Sequence, residues 1–111
     1  QRLCALRGCC WSPRPDTSVP WCFFSRGHGY ALQGAPRGTP QGFEASLSRL
    51  PAPSLFGGDA PRLLLTAQHQ SPARLRIKIT DPEKQRFEVP HEHVGDFQGS
   101  ATDNPKYKVD V

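Results

Sequence analysis

The chain has 111 residues and a formal charge of +4, from 14 Lys and Arg against 10 Asp and Glu. The basic residues are spread along the sequence rather than gathered in one stripe, which argues against nucleic-acid binding. There is no basic-then-apolar leader and no apolar run of about 20 residues, so a signal peptide or membrane anchor is expected only outside this segment.

All four cysteines fall at the start, as Cys4-x4-Cys9-Cys10-x11-Cys22, with Arg7-Gly8 before the double cysteine and Val19-Pro20-Trp21 before the last one. One short segment therefore relies on covalent cross-links, and the rest must fold by burial. Such usage is typical of a secreted or lumenal protein. Four cysteines allow three pairings, and the one joining adjacent Cys9 and Cys10 is disfavoured by the Cα separation that disulfides need. Zinc sites usually space ligands as Cys-x2-Cys or His-x3-His pairs, so a double cysteine followed by a lone one points away from metal. Trp11, Trp21, Phe23 and Phe24 are aromatic enough for sugar stacking. Beside a disulfide in a small module, however, packing is their ordinary role.

Ser25 to Pro40 carries Gly27, Gly29, Gly34, Gly38 and Pro36 without apolar periodicity, and residues 26–41 read as a connector. Beyond it the pattern has the period of two that marks half-buried strands. Phe43, Ala45 and Leu47 alternate with Glu44, Ser46 and Ser48. Leu63 to Gln68 is a short apolar strand candidate between the turn formers Gly57, Gly58, Asp59 and Pro61 and the pair Ser71-Pro72. Leu75, Ile77 and Ile79 alternate with Arg74, Arg76, Lys78 and Thr80. Asp81-Pro82 then reads as a turn, and Arg86 to Val89 as the return strand of a hairpin. Tyr107, Val109 and Val111 repeat the alternation, so the chain is expected to stop inside a strand. No window predicts an amphipathic helix with caps.

Several short strands with one apolar face each predict part of an antiparallel β-sandwich. Such a layer needs a second to cover it, and about 70 residues struggle to bury enough apolar surface alone. The missing strands are expected downstream.

Few other residues invite chemistry. His91-x-His93 is the minimum for a metal pair, but two ligands do not make a zinc site, and packing and hydrogen bonding are expected instead. Glu88 and Glu92 lack a nucleophile or cleft and read as surface carboxylates paired with Arg86 or Lys84. The only asparagine, Asn104, precedes Pro105 and forms no glycosylation sequon.

The cysteine spacing with Trp21-Cys22 resembles the P-type, or trefoil, module, normally built on six cysteines. In that family the first pairs with the fifth, the second with the fourth and the third with the sixth. The resemblance then implies a Cys4–Cys22 bond, with partners for Cys9 and Cys10 lying upstream of Gln1. It also places Pro20 and Trp21 at glycan-contacting positions of the trefoil cleft.

Further on, Leu63 to Ala67, Arg74 to Pro82 and Arg86-Phe87-Glu88-Val89-Pro90-His91-Glu92-His93-Val94 resemble the start of the amino-terminal β-sandwich of the family 31 α-glucosidases, and Pro53-Ser54-Leu55-Phe56-Gly57 leans toward their intestinal maltase branch. Some members carry a trefoil module directly before that sandwich. Family members hydrolyse α-glucosidic bonds with retention, using two aspartates on a (β/α)8 barrel. Retention requires carboxyl groups about 5 to 5.5 Å apart, and such a barrel takes about 250 residues. Neither aspartate motif occurs here, so no catalytic residue is assigned.

The resulting expectation is a mostly β chain: the carboxyl-terminal part of a disulfide-stapled trefoil module at 1–25, a linker at 26–41, and the first strands of the sandwich at 42–111. The resemblance implies a non-catalytic amino-terminal piece of a maltase-type α-glucosidase acting on α-1,4-linked glucose, without cofactor or metal. Its partner would be the remainder of the glucosidase chain, and its place the cell surface ahead of the lysosome. The competing expectation is a secreted trefoil protein that binds mucin-type glycans through Pro20 and Trp21.

Overall fold

The computed structural model describes residues 1–90, 92 and 104–111. The elements in chain order are α1 (Arg2–Leu6), β1 (Cys10–Trp11), β2 (Cys22–Phe23), β3 (Tyr30–Leu32), β4 (Arg37–Thr39), β5 (Gly42–Arg49), β6 (Arg62–Ser71) and β7 (Arg74–Thr80). The chain divides into two compact units, one of Gln1–Ala31 with Ser48–Pro61 and the other of Leu32–Leu47 with Arg62–Val111.

In the first unit α1 is a single short turn of helix, where none was expected. Five residues are too few for helical propensity to sustain alone, so the ends and the disulfide at Cys4 hold it. Gly8 takes a left-handed φ of 66°. Its N–H donates to Ala5 O at 2.9 Å, while the Cys9 N–H donates to Cys4 O at 3.0 Å. That is a Schellman stop, and glycine is the residue that adopts it without a Cβ penalty. Strands β1 and β2 pair antiparallel, Cys10 opposite Phe23 and Trp11 opposite Cys22.

An antiparallel sheet has the order β3-β5-β6-β7, with β4 also pairing β5, and most of its residues belong to the second unit. Residues 26–41, expected as a connector, thus contain two short strands. Their Gly and Pro content hid them: β4 has Arg37, Gly38 and Thr39 and no apolar alternation. It reaches β5 through Pro40-Gln41, with Arg37 opposite Glu44 and Thr39 opposite Gly42. The Arg37 guanidinium and the Glu44 carboxylate form an ion pair across that register.

β6 and β7 form the hairpin that organises this unit. Leu65 faces Ile79, Ala67 faces Ile77 and His69 faces Leu75, with an irregularity between His69 and Ser71 before the Pro72-Ala73 loop. Directly opposed residues share a face, so these six line one side while Thr66, Lys78, Gln68 and Arg76 line the other. The expected alternation therefore holds in β5, β6 and β7.

The expected hairpin partner does not. Residues 86–89 are not a strand, because β7 pairs with β6 through a two-residue loop, which brings the two strands together sooner than any turn after Asp81. The Asp81 carboxylate instead accepts the N–H groups of Glu83 at 2.9 Å and Lys84 at 3.2 Å, and the chain bends away. Glu88 pairs with Lys78 at 2.7 Å, and Arg86 reaches Asp81 at 3.5 Å. The last residues are not a strand either. The Lys106 N–H donates to Pro72 O at 2.7 Å, and the Tyr107 ring stacks on His69 with centroids 5.5 Å apart. His91 and His93 lie outside the described residues.

The core is thin. Among the described residues the buried apolar side chains are Cys4, Ala45, Ala60 and Ala67, all small, and no large side chain is fully buried. Ile77 and Ile79 are 54% and 56% exposed, so the apolar face of β7 is left mostly in water. Hydrophobic stabilisation scales with the area removed from water, and a sheet with one open apolar face has realised only part of it.

Candidate functional site

The cysteine-rich segment brings the predicted site residues together in the first unit. Cys4 on α1 and Cys22 on β2 are joined by a disulfide, with Cα atoms 5.8 Å apart and a sequence separation of 18. Closing a loop of that length stabilises the fold by about 3 kcal/mol in the chain-entropy description. Cys9 is half-buried and Cys10 exposed, and both carry free thiols.

Pro20 is exposed and Trp21 half-buried. The indole is fixed from two directions: its Nε1–H donates to Asp16 O at 3.4 Å, and its ring meets Trp11 edge to face, centroids 5.8 Å apart at 87°. Edge-to-face pairs of this kind contribute about 0.5–1.5 kcal/mol beyond area burial. The loop bearing Asp16 is tightened by the Ser18 N–H, which donates to Asp16 Oδ1 at 2.9 Å. Hydrogen bonds from the Ser18 hydroxyl and backbone N–H hold the Asp16 carboxyl below its ordinary range. Trp21 is thus packed against Trp11 and tied to Asp16, and its side chain stays partly exposed.

His28 ties the segment to α1. Its Nε2 lies 3.0 Å from Arg7 O, and its Nδ1 lies 3.0 Å from Ser25 Oγ. A carbonyl oxygen only accepts, so in the neutral ring Nε2 carries the proton and Nδ1 accepts the Ser25 hydroxyl. Phe24 leans on this ring at 5.1 Å.

Concave sites among the described residues occur in both units. In the second unit a cavity of about 390 Å³ is lined by Thr39, Gln41, Phe43, Glu44, Thr66 and Gln68. In the first, a cavity of about 370 Å³ is walled by residues that include Phe24, Tyr30, Leu50, Phe56 and Asp59. No sequence motif links the members of this second set. They come from two stretches more than 15 residues apart, so only folding reveals the cavity. Pro20 and Trp21 do not line it. Among the described residues no group of three His, Cys, Asp or Glu is placed to hold a metal ion. No helix among them is long and apolar enough to cross a membrane.

Comparison with known proteins places this geometry. Residues 1–25 match the trefoil (P-type) domain family. The chain is 49% identical over 109 residues to human intestinal sucrase-isomaltase, covering 98% of this chain and 6% of that protein. It is 45% identical over 104 residues to the human protein named probable maltase-glucoamylase 2, covering 93% of this chain and 4% of that one. It is 36% identical over 99 residues to mouse lysosomal alpha-glucosidase, covering 83% of this chain and 10% of that one. The chain thus spans about one part in sixteen of the intestinal relative's length. It carries a trefoil (P-type) domain at residues 1–25 and, over nearly its whole length, is a relative of the amino-terminal region of the family 31 α-glucosidases.

Proposed function

We propose that the chain is a non-catalytic amino-terminal segment of an α-glucosidase, a scaffold on which the remainder of the glucosidase chain docks. The observation that carries this reading is the match of 98% of the chain to only 6% of a glucosidase relative. The open face at Ile77 and Ile79 supports it, as does the exposure of Phe87 and Val89, because exposed apolar patches mark surfaces made for a partner. In that assembly the remainder of the chain hydrolyses α-1,4-linked glucose, and this segment contributes no catalytic group.

Its place is the extracellular side of the cell surface. The Cys4–Cys22 disulfide suits an oxidising compartment, and the chain is more similar to the intestinal relative, at 49% identity, than to the lysosomal one, at 36%. A second reading rests on exposed Pro20 beside the half-open ring of Trp21: a secreted glycan-binding trefoil protein without hydrolase activity.

A chimera separates the two. Human sucrase-isomaltase in which this chain replaces the homologous segment is expected to reach the cell surface and to release glucose from maltose, whereas the 111-residue chain alone releases none. A chimera that is retained and inactive, when the parent enzyme reaches the surface and is active, overturns the scaffold reading.

A further inference from the structure

β7 is the last strand of its sheet. Its inner edge is paired with β6, and among the described residues no strand pairs with its outer edge. Alternate backbone N–H and C=O groups on such an edge form a template for one more strand.

The side chains say which strand. Exposure on β7 runs against the chemistry, because Ile77 and Ile79 are exposed whereas Arg76 and Lys78, on the opposite face, are half-buried. Lys78 already holds a carboxylate, that of Glu88 at 2.7 Å. Arg76 has no side-chain hydrogen bond or ion pair among the described residues. A guanidinium drawn partly out of water without a counter-charge is costly, and the neighbouring Lys78 shows what this face takes. A wholly apolar strand laid on the edge would bury Arg76 unpaired.

A second copy of the chain does not fit either. Directly opposed residues share a face. An antiparallel β7–β7 pair that sets Ile77 opposite Ile77 or Ile79 therefore also sets Lys78 opposite Arg76 or Lys78, and a parallel in-register pair sets each cation beside its twin. Like charges directly opposite are destabilising, and charged residues on edge strands commonly guard against such self-pairing.

We propose that the outer edge of β7 accepts an added strand in which carboxylates alternate with apolar side chains. Its backbone extends the ladder, its carboxylates lie on the side of Arg76 and Lys78, and its apolar residues cover Ile77 and Ile79. Main-chain hydrogen bonds supply affinity in this mode of recognition, and the alternating side chains supply specificity. The inference rests on the scaffold reading for the source of that strand, the remainder of the glucosidase chain, and deepens it by naming the edge used and the chemistry that selects it.

The test is a titration of the 15N-labelled 111-residue chain with a capped peptide as long as β7, seven residues, in which glutamates alternate with valines. Saturable shifts are expected along β7, and hydrogen exchange is expected to slow at every second β7 amide, the signature of pairing on one edge. The same peptide with lysine in place of each glutamate is expected to bind about ten-fold more weakly or worse. Arg76→Glu should reverse that preference, and Arg76→Gln, which keeps a polar side chain without the charge, should weaken the glutamate peptide without reversing it. The spectra report directly whether each variant keeps the fold. The inference falls if the glutamate peptide gives no saturable response, if the lysine peptide binds as well, or if Arg76→Gln binds as the parent does. It also falls if β7 shifts without alternate protection, which would put the peptide on the sheet face, or if protection rises with chain concentration alone, which would make a second copy the occupant. The chimera is scored separately. An active chimera with no peptide binding removes the added strand and leaves the scaffold, whereas peptide binding with a retained, inactive chimera removes the scaffold and with it the source assigned to the strand.

Discussion

Gly42 approaches Ala67 so closely that a Cβ at position 42 would stand 2.2 Å from the Ala67 carbonyl oxygen. The contact is backbone on the opposing side, so no side chain can move away to relieve it. Gly42 also has a φ of 157°, and next to it the His69 N–H donates to Gln41 O at 2.8 Å. The entry of β5 onto β6 thus depends on the absence of a side chain at one position. Gly42→Ala is expected to cost about 2–4 kcal/mol, the range of strained or overpacked sites. Urea unfolding followed by circular dichroism measures it, and an unchanged midpoint would show that the approach is not required.

The disulfide should be equally visible. Cys4→Ser with Cys22→Ser removes the cross-link and is expected to lower stability by about 3 kcal/mol, enough to unfold a chain whose buried apolar residues, among those described, are four small side chains. Cys10→Ser, at an exposed free thiol, should change stability by less than about 0.5 kcal/mol. Thermal melts of the two variants side by side check both expectations.

Tyr107 clips the final segment to the β6–β7 hairpin. Its hydroxyl donates to Arg74 O at 3.2 Å and accepts from His69 Nδ1 at 2.9 Å. Tyr107→Phe keeps the stacking on His69 and removes both hydrogen bonds, for an expected loss of about 1 kcal/mol per bond or less. Hydrogen exchange at the Lys106 amide, bonded to Pro72 O, should accelerate in the variant while amides in the middle of β6 remain protected. Equal protection in both proteins would mean that stacking alone holds the segment.

Acid should loosen the turns before the strands. The backbone N–H of Glu83 is the chief group holding the Asp81 carboxyl below its ordinary value near 3.8, and the Ser18 hydrogen bonds do the same for Asp16. A carboxylate with a lowered folded-state pKa binds its proton more readily when unfolded. Its contribution is therefore present above the ordinary value and lost as pH falls through the depressed one. Stability is expected to be level above about pH 5 and to fall below pH 4. Asp81→Asn should flatten that fall. A variant with the parent's acid profile would remove Asp81 from the account.

What could be read from residue order was whatever depends on near neighbours. The alternation of Phe43, Ala45 and Leu47 and of Leu75, Ile77 and Ile79 marks β5 and β7, because side chains on a strand change face at every residue, and the apolar run from Leu63 to Gln68 between turn formers marks β6. Cysteine spacing marked the first 25 residues as a trefoil module for a similar reason, since its loops have set lengths. Pairing is another matter. Arg86 to Val89 has the composition of a strand, yet β7 closes on β6 instead, because the Pro72-Ala73 loop is shorter and the Asp81 turn draws its backbone donors away. β3 and β4 were hidden because each is only three residues long, too short for alternation to show, and β4 has a glycine at its centre. The cavity bordered by Phe24 and Phe56 was hidden for a deeper reason. Which residues meet across a sequence gap is decided by how the chain closes its loops and which backbone atoms can approach, and only the tertiary structure carries that information.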